Sequence, residues 1–263
     1  MQCDVVWEDK PANHARIEQL IEEASIPRGA LVVLPEMSDT GFSFALDRTA
    51  DGRTLPWACA VAARFGMWIG AGWSRMGKDG RGRNCYSIIR PDGTVAGTAE
   101  KLHPFSFGRE GELFSGGDDL LVVDVNGLKI CPLICYDLRF PEAFRAATAA
   151  GATCFLVPAN WPSARTGHWR TLLAARAIEN QAYVVGVNRV GRDPSLHYHG
   201  ASMIIGPAGE ILADADDTPQ VLRADLDAEK VTAWRATFPA LRDMRSDLTL
   251  RMAVRTGGSP RSA

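Results

Sequence analysis

Three polar residues stand at the ends of short apolar runs. Glu36 follows LVVLP, Lys101 follows GTVAGTAE, and Cys135 ends KICPLIC and leads straight into YDLRFPE. Strand ends are where α/β folds keep their chemistry. Singly, each residue has an ordinary alternative: a solvated cap for the glutamate, a surface site for the lysine, an inert core thiol for the cysteine. Together they have a chemical logic. A thiolate attacks a planar carbon, but a free thiol is mostly protonated at neutral pH, so a neighbouring base must take its proton. The oxyanion formed on attack needs preorganised donors, which a lysine ammonium and a backbone N–H supply. Glutamate, lysine and cysteine then serve as base, electrostatic stabiliser and nucleophile.

The elements that must position them are readable as alternating patterns. Val- and Ile-rich runs bounded by Gly, Pro, Asn or Asp read as strands: CDVVW (3–7), LVVLP (31–35), MWIGAGW (67–73), CYSIIR (85–90), LLVVDV (120–125), KICPLIC (129–135), TCFLVP (153–158), YVVGVN (183–188) and ASMIIG (201–206). Helical patterns cover 11–24, 56–65, 141–150 and 168–182; the first puts Ile17, Leu20 and Ile21 on one face and begins with Pro11, suited to a first turn. Asn126-Gly127 marks a hairpin. Helix crossovers mixed with hairpins predict an α/β fold with mixed sheets. The basic, Gly-rich stretch RMGKDGRGRN (75–84) reads as a solvated loop.

Composition narrows the function. Lys plus Arg total 29 against 31 Asp plus Glu, a net charge of −2, which leaves no basic footprint for nucleic acid. A small anionic substrate held by one or two arginines remains compatible. The 263 residues suit one large α/β domain, expected over 1–255, with a flexible tail over 256–263. No run approaches the roughly 18 apolar residues of a membrane span. The start MQCDVVWEDK lacks a signal-peptide pattern, and the six cysteines form no CxxC pair. Reduced thiols and a cytoplasmic protein are expected.

LPEMSDTGF around Glu36, EKLHPF around Lys101 and ICYDLRFPE around Cys135 closely resemble the three signatures of the nitrilase superfamily of carbon–nitrogen hydrolases, in the family's order. The resemblance continues through VPANWP (157–162), residues 168–191 and GASMIIGPAGEIL (200–212), nearly the whole chain. CYDLRFP, ANWP and NRVG are most similar to the ω-amidase branch, whose members hydrolyse the terminal amide of 2-oxo-dicarboxylate monoamides such as 2-oxoglutaramate or 2-oxosuccinamate. The resemblance implies a four-layer α-β-β-α sandwich, a homodimer and a thioester at Cys135; no GxGxxG or P-loop appears, so no cofactor is expected, and no metal. It implies that Lys101 and the Tyr136 N–H hold the oxyanion. It also implies a second glutamate after the lysine; within REGELFSGGD (109–118) Glu110 is favoured over Glu112. Family members normally open with a fuller strand, so a short first strand, or a start upstream of Met1, is expected.

Substrate contacts are less determined. A 2-oxo acid carries a carboxylate, for which a guanidinium is the natural bidentate partner. Arg139 is the first candidate, with an ion pair to Glu142 or another acid as its alternative. Trp161 and Phe42 are candidate pocket walls, and Arg165 and Thr166 lie in a loop within reach. His197-Tyr198-His199 has no Cys or acid at ligand spacing and reads as a solvated loop. His103 and His168 are what a Cys–His hydrolase would need, and the lysine and glutamate signatures disfavour that reading. Cys131 and Cys135, four residues apart on one strand, are about 13 Å apart, too far for a disulfide. The rival functions are a deaminated-glutathione amidase, an N-carbamoyl amidohydrolase, and a catalytically silent binding protein on the same fold.

Overall fold

A computed structural model describes residues 1–245 and 253–257. Four strands, β1 (Leu31–Val33), β2 (Trp68–Met76), β3 (Gly82–Ile89) and β4 (Val95–Glu100), form one sheet in sequential order. The first pair is parallel and the others antiparallel. A second sheet takes β5 (Asp119–Val125), β6 (Leu128–Pro132), β7 (Cys154–Ala159), β8 (Tyr183–Asn188), β11 (Met203–Ile205), β12 (Ile211–Asp214) and β13 (Ala253–Thr256), in the order β12-β11-β8-β7-β6-β5-β13. Its centre, β6-β7-β8, is parallel and its flanks include antiparallel pairs, so both sheets are mixed. Between β8 and β11, β9 (Val190–Arg192) and β10 (His197–His199) form a separate antiparallel hairpin.

The layering follows from which faces are apolar. Helices α1 (Lys10–Glu23) and α3 (Thr54–Phe65) present Ile17, Ile21, Ala58, Val61 and Ala62 to Val32, Leu34, Ile69 and Ala71 of the first sheet. The other face of that sheet, through Tyr86, Ile88, Ala96 and Ala99, packs in one continuous core with Leu121, Val123 and Leu156 of the second. Helices α5 (Pro141–Ala149) and α6 (Thr166–Asn180) close the outer side with Phe144, Ala147, Leu173 and Ala177. The order is helix, sheet, sheet, helix, the sandwich implied by the resemblance. Two short helices, α2 (Leu46–Thr49) and α4 (Glu110–Leu113), lie in connections, and α7 (Ala228–Thr237) follows the second sheet.

Most boundaries follow local chemistry. Asp9 caps α1 by accepting from Ala12 N–H at 3.0 Å, and Pro11 sits in its first turn. Gly66 ends α3 at φ 63°, where a Cβ would meet the Arg28 guanidinium at 2.4 Å.

Several expectations are corrected. CDVVW forms no regular strand; within it only Asp4 makes an isolated bridge, to Val190, while Gln2, just before it, bridges Gln220. Side chains take several of its backbone groups: Asn13 exchanges two hydrogen bonds with Val6, at 2.8 and 2.7 Å, and Arg189 donates to Val5 O at 2.9 Å. KICPLIC stops being a strand at Pro132, and Cys135–Arg139 is a 3₁₀ turn. RMGKDGRGRN is a loop only over 77–81, because β2 runs to Met76 and β3 starts at Gly82. Arg75 and Arg83 both pair with Glu100 there, at 2.5 and 3.5 Å. The segment 197–199 is strand β10 with Tyr198 buried, not a solvated loop. Of the expected tail, Thr256 closes β13, and residues 258–263 lie outside the described residues. Among the described residues no helix is long and apolar enough to cross a membrane.

Candidate active site

Four elements of two sheets converge on one buried cluster. Glu36 lies three residues beyond β1. The chain there is pinned by Leu34, whose N–H donates to Gly70 O and whose carbonyl accepts from the Tyr86 hydroxyl, both at 2.9 Å. Gly72 of β2 lets this segment pass: a Cβ there would stand 2.6 Å from Met37 N and from Pro35 O. Lys101 leaves β4 with its backbone fixed on both sides, N–H to Asn84 O and carbonyl from Gly117 N–H, each at 2.9 Å. Cys135 opens the 3₁₀ turn after β6 at φ 48°, a left-handed conformation costly for a side-chain-bearing residue.

The charged groups meet without solvent. Glu36, Lys101 and Glu110 are each no more than 2% exposed. Lys101 Nζ donates to Glu36 Oε1 at 2.9 Å and to Glu110 Oε2 at 2.8 Å. It also donates to Glu110 Oε1 at 3.1 Å, so the three N–H donors of the ammonium are spread over three oxygens of two carboxylates. Asn84 bridges the same carboxylates, donating to Glu36 Oε1 at 2.8 Å and to Glu110 Oε1 at 3.0 Å. Asn160 holds the other Glu36 oxygen through its backbone N–H at 2.9 Å. Glu110 also accepts from Phe105 N–H at 2.6 Å. Its neighbour Glu112 is exposed and paired only with Arg109, at 3.8 Å, so it is Glu110 that the fold brings to the lysine.

Burial and neighbours set the protonation states. Burial pushes the Glu36 carboxyl up, but the Lys101 charge and the hydrogen bonds from Lys101, Asn160 and Asn84 outweigh it, so its pKa falls below the ordinary value. Burial pulls Lys101 down, but Glu110, Glu36 and Cys135 together hold its pKa well above normal. Burial, reinforced by Glu36, pushes the Cys135 thiol well above normal despite Lys101. The resting cluster is a carboxylate, an ammonium and a neutral thiol. Such a thiol acts when its proton is taken as it attacks, and Glu36 is the charged base beside it.

A narrow cavity of about 50 Å³ opens over Cys135. Phe42 and Lys101 line it, the ammonium 5.1 Å from the ring centre. Arg139 and Trp161 line it too, the guanidinium stacked 4.7 Å over the indole. The alternative, an ion pair with Glu142 or another acid, does not form; Arg139 lies 3.4 Å from His168 Nδ1 and has no acidic partner among the described residues. Trp161 is held by Asn188, which accepts from its N–H at 2.7 Å and donates to its carbonyl at 2.9 Å. Tyr136 lines the cavity, and its backbone N–H finds no acceptor among the described residues. Arg165 borders the cavity as well. Thr166 does not: its hydroxyl donates to Ser163 O at 2.9 Å, closing the turn before α6. His103 sits to one side, stacked on Phe140 at 3.7 Å, and His168 lies in the first turns of α6.

Asn84, Asn160, Phe105, Leu196 and Tyr198 also reach this site. Asn160 stands inside the ANWP box, one residue before the tryptophan that was singled out. Asn84 carries no local signal; only the β3–β4 register delivers it to Glu36. Tyr198 was hidden by the reading of its segment as a loop. A larger cavity of about 570 Å³ lies between β1 and residues 221–226, lined chiefly by aliphatic side chains, and includes none of the candidate residues. Among the described residues no group of three or more His, Cys, Asp or Glu could hold a metal.

A carboxylate, an ammonium and a thiol thus meet in one buried cluster between two mixed sheets, with helices outside. The chain belongs to the carbon–nitrogen hydrolase family, whose profile matches residues 1–236. It is 39% identical to the omega-amidase YafV of Yersinia enterocolitica over 254 residues, covering 95% of this chain and 97% of the relative. It is 34% identical to the 2-oxoglutaramate amidase of Bacillus subtilis over 252 residues, covering 94% and 97%. Among solved structures it resembles XC1258 from Xanthomonas campestris, a CN-hydrolase superfamily protein with an arsenic adduct in its active site. That similarity has a TM-score of 0.87 and 36% identity, over 93% of this chain and 95% of the other.

Proposed function

We propose that the protein is an ω-amidase: it hydrolyses the terminal amide of a short 2-oxo-dicarboxylate monoamide, such as 2-oxoglutaramate or 2-oxosuccinamate, to acid and ammonia. The observation that carries the substrate class is Arg139, a guanidinium stacked on Trp161 beside Cys135 and unpaired with any acid among the described residues. A carboxylate at the far end of the substrate is its natural partner. Arg165 offers a second positive charge at the same mouth. The narrowness of the cavity favours a small linear amide over a bulkier one. The similarity to omega-amidase YafV and to a 2-oxoglutaramate amidase supports the same class.

The geometry supports the following reaction. Glu36 takes the Cys135 proton as sulfur attacks the amide carbon. The Lys101 ammonium, one N–H turning from its longer Glu110 contact, and the Tyr136 N–H receive the oxyanion. Collapse breaks the C–N bond, Glu36 returns the proton to nitrogen, and ammonia leaves a thioester on Cys135. Glu36 then takes a proton from water, hydroxide attacks the thioester, and the acid departs as the thiol regains the proton. Glu110 holds the lysine and accepts from Phe105 N–H on the cavity rim.

Ammonia release from a panel tests the reading: 2-oxoglutaramate, 2-oxosuccinamate, deaminated glutathione, N-carbamoyl amino acids and a simple nitrile. Turnover of the first two is expected, with KM for them rising at least tenfold in Arg139→Ala. Preference for deaminated glutathione or a carbamoyl compound would replace the substrate and leave the cysteine chemistry standing. Inert behaviour toward the whole panel would favour a silent binding protein on this fold.

A further inference from the structure

We propose that Asp137 is a positioning residue that sets the spacing between Cys135 and Lys101. The proposal rests on the Glu–Lys–Cys reading of the site and not on the identity of the substrate. Asp137 is 1% exposed and two residues past the nucleophile. Its carboxylate has no ammonium or guanidinium partner among the described residues. Instead it gathers backbone donors from both catalytic segments. Oδ2 accepts from Ile134 N–H, directly before Cys135, at 2.9 Å, and from Leu102 N–H, directly after Lys101, at 3.3 Å. Oδ1 accepts from His103 N–H at 2.9 Å and stands 2.8 Å from His103 Nδ1. The Asp137 N–H itself donates to Ile134 O at 3.0 Å, closing the turn that carries Cys135.

This arrangement joins segments that no strand ladder joins. Cys135 rises from the second sheet and Lys101 from the first, and their elements pack face to face through side chains. Side-chain packing alone fixes such a distance loosely, whereas charge-assisted hydrogen bonds to backbone N–H groups are short and directional. The same carboxylate braces the left-handed Cys135 backbone, whose φ of 48° needs surrounding contacts to persist. His103, stacked on Phe140, fixes the carboxylate's orientation in turn. Asp137 touches neither the thiol nor the cavity; its effect passes through the backbone of the two residues that do.

The test uses Asp137→Asn and Asp137→Ala in the full-length protein, read three ways. Thermal unfolding reports folding; steady-state hydrolysis reports kcat and KM; the rate of Cys135 alkylation by iodoacetamide, located by peptide mass spectrometry, reports nucleophile geometry without substrate. Both variants are expected to lose kcat by about 10²-fold, as misplacement by an ångström does, with KM within about threefold and alkylation slowed in parallel. Asp137→Asn, which keeps one carbonyl acceptor, should retain more than Asp137→Ala. If the alanine variant does not fold, the asparagine variant decides alone. A folded variant with wild-type kcat and alkylation rate would overturn the proposal, as would a loss accounted for by the unfolded fraction. If the panel substrates are inert, alkylation still decides for or against Asp137, so the two readings fail separately.

Discussion

At the residue scale the site is a problem in desolvated charge. Two buried carboxylates flank one buried ammonium, an arrangement stable only while all three are present. Lys101→Met would leave Glu36 and Glu110 facing each other unneutralised. It is expected to cost about 3–5 kcal/mol in urea unfolding, or to force a proton onto one carboxylate, and to abolish turnover. Glu36→Gln keeps shape and loses the base, so kcat should fall by about 10²–10⁴-fold with the fold intact; full activity in that variant would remove Glu36 from the mechanism. The depressed Glu36 pKa places the acid limb of kcat/KM below about pH 4.5, the ordinary glutamate value. The same shift is a stability contribution present above the unfolded-state pKa and lost as pH falls through the folded one. Lys101, whose pKa is raised, works in the opposite sense: its contribution is complete below the unfolded value and fades as pH rises through the folded one. A pH–rate profile locates the acid limb; an inflection near pH 6 would contradict a Glu36 carboxylate held by Lys101. Glu36, Lys101 and Cys135 were legible because each sits in a distinctive strand-end motif. Asn84 and Asn160 were not, because an amide's role depends on a partner 48 or 124 positions away.

At the scale of elements the catalytic geometry depends on places where strands pass closely or stop. Gly72 is such a place. Gly72→Ala would put a Cβ against the backbone that carries Glu36, and should cost about 1–3 kcal/mol by overpacking, measured by thermal unfolding. Activity should fall further than stability explains, since the displaced atoms flank the base; a fully active, stable variant would show that Glu36 is positioned otherwise. Central strands such as β7 and β8 were readable from apolar runs that stay buried on both faces. CDVVW carries the same signal and fails as a strand because Asn13 and Arg189 answer its backbone. Tyr198 shows the reverse: three polar-looking residues become a strand because the tyrosine buries its ring and its hydroxyl donates to Asp193 at 2.6 Å. Such outcomes depend on distant side chains, which periodicity does not register.

At the scale of the whole molecule, two sheets back to back hold charges from one against the Cys135 thiol from the other. The helix–sheet–sheet–helix order was legible as mixed hairpins and crossovers together with a near-full-length resemblance. The strand order, which threads β13 beside β5, was not, because short edge strands carry little hydrophobic signal. Segregation of the thiols belongs to this scale too. Burial raises Cys131 and Cys154, the latter to about 12; neither lines the cavity over Cys135, and Cys154 faces only the larger, chiefly aliphatic one. Of the six cysteines Cys135 should therefore be the one acylated. The most direct measurement is mass spectrometry of the enzyme quenched in acid during turnover of 2-oxoglutaramate, with peptide mapping of the adduct. The account predicts an acyl group in thioester linkage on Cys135 alone, lost in Cys135→Ala together with ammonia release. Ammonia release that persists in Cys135→Ala, or an acyl group carried by another residue, would contradict it.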